Sequence, residues 1–200
     1  WVLPLWFAES GGWTRPDAVD RFVKYCELCI NEFGEFPDLW VTLNEPMVPS
    51  VAGYLAGVFP PEKKSLLLYG KVTGKLLEAH ARVYKMIHEK VKKAPDGSPT
   101  QAGVATAYQW IEPWGSSGPA ALYESLMTKV FRFGSFEGWD HAIKTGTPRW
   151  PHGLTEILGL KNSYDFAGVN YYFRQSLKFD PSKKDQMMID FESIPDGIEK

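Results

Sequence analysis

The residues best placed for chemistry stand where apolar runs stop. Leu39-Trp40-Val41-Thr42-Leu43 reads as a strand, and Asn44-Glu45-Pro46 sets an amide and a carboxylate where the proline ends the ladder. A second apolar run, Phe166 to Tyr171, carries Asn170 near its end and Tyr172 just beyond it. A carboxylate at a strand end either moves protons for a bound substrate or sits in a surface ion pair, and an isolated N-E-P tripeptide does not choose between the two. Cys26 and Cys29, spaced C-x-x-C, raise redox and metal chemistry. They fall inside a helical pattern, where positions three apart share a face, and no second cysteine pair completes a zinc site. They read as two buried small apolar side chains. His80, His88, His141 and His152 have neither a cysteine pair nor a second carboxylate in register, so each is assigned a structural role and no metal.

The elements that must position these groups follow from hydrophobic period and punctuation. Val2 to Phe7 is read as a short buried strand leaving into Ser10-Gly11-Gly12. A helix follows: Thr14 and Asp17 match the [ST]-x-x-[DE] start signal, and Val19, Phe22, Val23, Cys26, Ile30 and Phe33 recur at helical spacing up to Gly34. After the strand that ends at Asn44, a Gly- and Pro-rich loop is expected over 49–61. Val72, Leu76, Val83, Ile87 and Val91 then mark a long amphipathic helix ending near Lys93. A strand over 102–108, a helical region over 120–144 interrupted by Gly134 and Gly138, and the strand over 166–171 complete the pattern, with a polar loop expected from Asp180 to Lys200.

Strands that alternate with helices and are apolar throughout predict an α/β fold with a parallel sheet covered on both faces. Both a doubly wound sheet and a (β/α)8 barrel satisfy that pattern. No G-x-G-x-x-G follows any strand, which argues against a dinucleotide fold, and polar residues at two separate strand ends suit a barrel, whose C-terminal strand ends converge on one site.

Composition bounds the function classes. With 22 basic and 24 acidic residues spread along 200, the net charge of -2 leaves no electrostatic footprint for nucleic acid or an anionic membrane surface. No run of eighteen apolar residues is present to span a bilayer. A small neutral or polar ligand fits better, and two cysteines without a disulfide framework lean towards a reducing, cytoplasmic compartment. The opening at Trp1, already inside an apolar run, is expected to lie within a larger polypeptide.

At this point a resemblance enters. Thr42-Leu43-Asn44-Glu45-Pro46 resembles the T-x-N-E-P motif of glycoside hydrolase family 1. Pro4-Leu5-Trp6-Phe7 with Gly11-Gly12-Trp13, Gly53-Tyr54-Leu55-Ala56-Gly57, and Asp165-Phe166-Ala167-Gly168-Val169-Asn170-Tyr171-Tyr172 are similar to further stretches of that family, in its order. The resemblance implies an incomplete (β/α)8 TIM barrel over residues 1–200, covering roughly strands 3 to 6 with their helices. It implies a retaining β-glycosidase acting on β-glucosides or related small-molecule β-glycosides, with Glu45 as acid/base, Asn44 holding the sugar 2-hydroxyl, Asn170 lining the site and Tyr172 touching the nucleophile carboxylate. No cofactor is implied, and nothing in the resemblance sets the oligomeric state. Such enzymes place two carboxyl groups about 5–5.5 Å apart. The family's nucleophile stretch, (I/V)-T-E-N-G, does not occur in residues 1–200, and Phe59-Pro60-Pro61-Glu62 stands where the family tends to have A-P-G. The nucleophile is therefore expected outside this chain, the chain alone is expected to be inactive with open strand edges, and a non-catalytic sugar-binding relative of the same barrel is the alternative.

Overall fold

The computed structural model describes residues 3–194, with the side chain of Ile194 left aside. The opening segment corrects the first expected strand. From Leu5 to Glu9 the chain is a short helix, α1, and Trp1 and Val2 lie outside the described residues. A run as short and apolar as Leu-Trp-Phe-Ala fits a half-buried helical turn as well as a strand. Here the turn is chosen because Phe7 packs edge-on against Trp13 in the core.

Helix α2, Ala18–Phe33, ends at Gly34 as read from the sequence, but its start signal works differently. The Asp17 carboxylate does not cap the helix. It accepts from Arg15 and Arg21, which together hold it far below the usual carboxylate range, while Thr14 donates to the Gly11 carbonyl at 2.6 Å. Cys26 and Cys29 on this helix are free and half-buried rather than fully buried. Burial, and then the neighbouring Cys29, push the Cys26 thiol up to about 12, which removes it as a nucleophile at neutral pH.

Strand β1, Leu39–Asn44, leads into α3, Met47–Ser50, and a π-helical turn, Val51–Leu55. The loop expected over 49–61 is thus helical in its first half. Pro46 at the N-cap and Pro49 in the first turn of α3 stand where a missing N–H is tolerated, and burying Tyr54 stabilises the turn that follows. Helix α4, Leu66–Lys90, starts at Ser65, whose hydroxyl accepts from the Leu68 amide at 3.3 Å, and its apolar face packs on α2 and the sheet. Strand β2, Gln101–Pro113, is followed by α5, Gly118–Arg132, a π-helical turn, Phe133–Glu137, and α6, Gly138–Thr145, the breaks falling at the glycines that marked them. Strand β3, Phe166–Phe179, runs well past the expected Tyr171.

The sheet order is β1-β2-β3-β4, with β1, β2 and β3 parallel and β4, Ile189–Ile194, antiparallel to the outer half of β3. This corrects the expected terminal loop within the described residues. Ile189 and Phe191 alternate with Asp190 and Glu192, and Ile189 joins Ile111 and Leu177 in a small separate core under α5. Residues 195–200 lie outside the described residues.

Two buried or half-buried carboxylates fix the strands along their lengths. At the start of β3, Asp165 accepts from Tyr84 at 2.9 Å, His88 at 2.8 Å and the Ala102 amide at 2.7 Å, while its own amide donates to the Ala102 carbonyl. At the far end, the buried Glu124 accepts from the Gly115, Ser116 and Phe179 amides and from the Ser116 hydroxyl, tying the loop after β2 to the end of β3. Between them, Gly103 is required by close approach: a Cβ there would lie 2.2 Å from the Phe166 carbonyl oxygen.

Among the described residues, the outer edge of β1 has no strand beside it. Leu39 and Val41 on β1, Val169 and Tyr171 on β3, and Leu122, Leu126 and Val130 at four-residue spacing on α5 are exposed. The expected open edges are present, except that β4 shields the outer half of β3.

The core holds two histidines in the neutral form, and this sets a pH dependence. His80 and His152 are almost fully buried, and burial pushes each down to about 4. As pH falls below the ordinary value of about 6.5, the unfolded chain takes up protons that the folded chain refuses. Stability present above that point is lost by about 1.4 kcal/mol per pH unit per histidine until about pH 4. Urea midpoints measured from roughly pH 7.5 down to pH 5 should fall accordingly, and His152→Gln should roughly halve the slope. A midpoint independent of pH across that range would show that neither histidine is held neutral.

Candidate active site

The site is built at the end of β1. The ladder between β1 and β2 pairs Val41 with Gly103 and Asn44 with Ala105, so three steps on β1 oppose two on β2. Such a bulge re-aims the side chains that follow it. The next residue, Glu45, adopts φ 48°, a left-handed conformation that costs a non-glycine residue about 1–3 kcal/mol and persists only where its surroundings hold it. The Glu45 amide donates to the Ala105 carbonyl at 2.7 Å, and the Glu45 carbonyl accepts from Val48 at 2.9 Å as α3 begins.

Bulge and left-handed turn together bury the carboxylate. Glu45 is 2% exposed, and its Oε1 accepts from Asn170 Nδ2 at 2.9 Å and from the Tyr172 hydroxyl at 2.6 Å. Asn170 Nδ2 also donates to Asn44 Oδ1 at 3.0 Å. Asn170 and Tyr172 reach the same carboxylate because residues two apart on a strand share a face, and the β2–β3 register sets Asn170 beside Ala107. The hydrogen bond to Glu45, with burial and the carboxylate charge behind it, raises the Tyr172 hydroxyl above its ordinary value, although the side chain is 58% exposed at the mouth of the site.

All four residues singled out from the sequence, Asn44, Glu45, Asn170 and Tyr172, therefore meet at one point. One contact differs from expectation: the Tyr172 hydroxyl, expected on a nucleophile carboxylate, lies on Glu45 itself. Sequence reasoning missed the groups behind the site. Thr42 Oγ1 lies 2.6 Å from His80 Nδ1, and His80 Nε2 lies 3.1 Å from Ser163 Oγ, links between residues 38 and 83 apart that no local pattern signals. Further along β2 and β3, Glu112 accepts from Trp110 and Arg174, and the Arg132 guanidinium lies 4.4 Å over the Trp110 ring. Trp13 and Trp139 are buried in the core, as packing residues should be. Among the described residues, no group of three or more His, Cys, Asp or Glu side chains is arranged to hold a metal ion.

Comparison with known proteins gives one answer. The sequence pattern described as "Glycosyl hydrolase family 1" matches residues 1–194. Raucaffricine-O-beta-D-glucosidase of Rauvolfia serpentina is 30% identical over 82% of this chain and 37% of its own length. Beta-glucosidase A of Thermotoga maritima is 26% identical over 99% of this chain and 47% of its own. Among solved structures, the family 1 β-glucosidase from Thermotoga maritima superposes with a TM-score of 0.77 at 25% identity, covering 98% of this chain and 44% of that one. The β-glycosidase from Pyrococcus horikoshii gives 0.75 at 26% identity, over 95% and 41%. The chain thus spans less than half the length of these relatives, and its three parallel strands with their helices form part of a TIM barrel. From the matched pattern and the shared fold, the chain belongs to glycosyl hydrolase family 1.

Proposed function

We propose that this chain carries the proton-transfer half of a retaining β-glycosidase site, in one incomplete barrel domain, with Glu45 as the acid/base and the nucleophile supplied by sequence beyond residues 1–200. The observation that carries the reading is the buried Glu45 carboxylate at a parallel strand end, held by Asn170 and Tyr172 from a neighbouring strand. The relatives named as β-glucosidases supply the substrate class, small β-glucosides or related β-glycosides, and one such neighbour is a complex with glucoimidazole.

In the first step, Glu45 gives its proton to the glycosidic oxygen as the bond to the anomeric carbon breaks, while the second carboxylate attacks that carbon from the opposite side. In the second step, Glu45 takes a proton from the water that displaces the enzyme carboxylate. Asn170 and Tyr172 hold one rotamer of Glu45 through both steps. Asn44 Oδ1 is occupied by Asn170, which leaves the Asn44 Nδ2 end to donate to the sugar 2-hydroxyl oxygen. The proposed role of Tyr172 in touching the nucleophile then becomes a second contact of a hydroxyl already anchored on Glu45.

The test uses the polypeptide that joins this segment to the remaining barrel strands. Glu45→Ala should lower hydrolysis of an alkyl β-glucoside by roughly 10²–10⁴-fold, and that of a dinitrophenyl β-glucoside, whose leaving group needs no proton, far less in its first step. Unchanged hydrolysis of both would remove Glu45 from the mechanism. If glucoimidazole bound but neither glucoside turned over in the unaltered protein, the non-catalytic sugar-binding reading, motivated by the missing E-N-G stretch, would replace this one.

The geometry makes a separate prediction for Tyr172. Because its hydroxyl donates to the Glu45 carboxylate, Glu45→Gln should bring Tyr172 ionisation down towards the ordinary tyrosine value. The tyrosinate absorbance that disappears in Tyr172→Phe identifies the signal. A Tyr172 titration indifferent to Glu45→Gln would mean that the two do not interact in solution.

A further inference from the structure

Thr42 stands three residues before Glu45, inside the bulge, and is buried. Its hydroxyl lies 2.6 Å from His80 Nδ1 and 3.2 Å from the Gly103 carbonyl oxygen. On the other side of the imidazole, Ser163 Oγ lies 3.1 Å from Nε2 and 2.7 Å from the Leu160 carbonyl oxygen. The distances choose the proton order. Ser163 gives its proton to Leu160 over the shorter contact, so it accepts from Nε2–H, and Nδ1 is then the acceptor for the Thr42 hydroxyl. The opposite tautomer exchanges the 2.7 Å bond for the 3.2 Å one. A single hydrogen-bonded line therefore runs from the bulge of β1, through α4, to the turn that feeds β3.

We propose that His80 and Thr42 are positioning residues for Glu45. The neutral imidazole, anchored on Ser163, holds the Thr42 hydroxyl, and with it the bulge that turns the Glu45 carboxylate onto Asn170 and Tyr172. Neither residue touches substrate. The left-handed backbone at Glu45 needs support from more than its own amide, and Thr42 is the side chain in the preceding three residues that is locked by a fully buried partner. The catalytic consequence rests on the acid/base reading of Glu45; the positional one does not.

The imidazole's two ends can be separated by isosteres. His80→Gln keeps a donor near the Nε2 position for Ser163 and loses the acceptor for Thr42, whereas His80→Asn keeps an acceptor near Nδ1 and loses Ser163. Thr42→Val removes the hydroxyl at nearly constant volume, and Thr42→Ser retains it. Amide exchange measured by NMR on this chain reads the bulge through the Glu45 amide, bonded to Ala105, with the Ala102 amide, bonded to Asp165, as the internal reference. Thr42→Val and His80→Gln should speed exchange at Glu45 by roughly tenfold or more relative to Ala102, while Thr42→Ser and His80→Asn stay within about threefold. Equal loss at both amides, or no selective change at Glu45 in Thr42→Val, overturns the proposal. If Thr42→Val does not fold, the His80 pair decides: indistinguishable Gln and Asn variants would sink it.

In the polypeptide containing the rest of the barrel, Thr42→Val and His80→Gln should depress hydrolysis of an alkyl β-glucoside about tenfold more than that of a dinitrophenyl β-glucoside, because a displaced acid harms the substrate that needs its proton, whereas Thr42→Ser and His80→Asn should affect the two alike. An unaltered protein inactive on both substrates would defeat the glycosidase reading while the exchange result still judged the positioning.

Discussion

A carboxylate withdrawn from water must find hydrogen-bond donors, and the architecture around Glu45 answers that requirement. Its side chain is almost wholly buried, yet no cation lies beside it in an ion pair among the described residues; the donors are an amide and a phenol from β3. For those donors to arrive, β3 must lie in one register against β2, and β1 must deliver Glu45 at the height of Asn170. The bulge in β1 and the left-handed turn after it are the local consequences. A one-residue slip of β3 would swing Asn170 and Tyr172 to the opposite face and strand the carboxylate.

Register is held by buried carboxylate contacts together with close approach at two glycines. The sheet face near the site is built from small residues, Gly103, Ala105, Ala107 and Gly168, which let the strands approach; only at Gly103 and Gly168 would an added Cβ clash with the neighbouring strand. Asp165 at one end binds the Ala102 amide and Glu124 at the other binds the Gly115, Ser116 and Phe179 amides, so each ties a strand end to a neighbouring segment. Each also leaves those amides unsatisfied if removed, a penalty of about 1–3 kcal/mol per buried group, so the same contacts that set the register make a slipped register costly.

What could be read from the sequence follows from the range of the interaction responsible. The strand ending at Asn44, the helix ending at Gly34, the long helix expected to end near Lys93 and ending at Lys90, and the breaks at Gly134 and Gly138 are local, written in period and punctuation. The segment Leu5–Glu9 is helical where a strand is expected because four consecutive apolar residues, Leu5 to Ala8, fit either period, and packing of Phe7 against Trp13 decides between them. Strand β4 was missed because two alternating apolar residues are too short a signal without the outer half of β3 to pair with. At the site, Asn44 and Glu45 are legible as polar residues where a strand ends; Asn170 and Tyr172, expected at the end of an apolar run, lie inside β3, which continues to Phe179. The groups behind the site, His80, Ser163 and the Ala105 carbonyl, are not legible, since a backbone carbonyl and a buried histidine carry no mark of their partner in sequence.

This distribution bears on how the proposed retaining site would divide its labour. Glu45, the group proposed for proton transfer, draws its backbone support from β2, its side-chain donors from β3 and, through Thr42, a further anchor from α4, all within residues 42–172. None of these contacts requires a further strand. The bond-forming carboxylate that the proposal requires would, by contrast, approach the opposite face of a sugar ring bound across the strand ends, and its placement would depend on closure of the sheet. The exposed inner residues Leu39 and Val41 on the free edge of β1 are the surface that closure would cover. The geometry of Glu45 is thus set by local strand pairing, while in the proposed enzyme the distance between the two carboxyl groups, which fixes the stereochemical outcome, would be a property of the closed barrel.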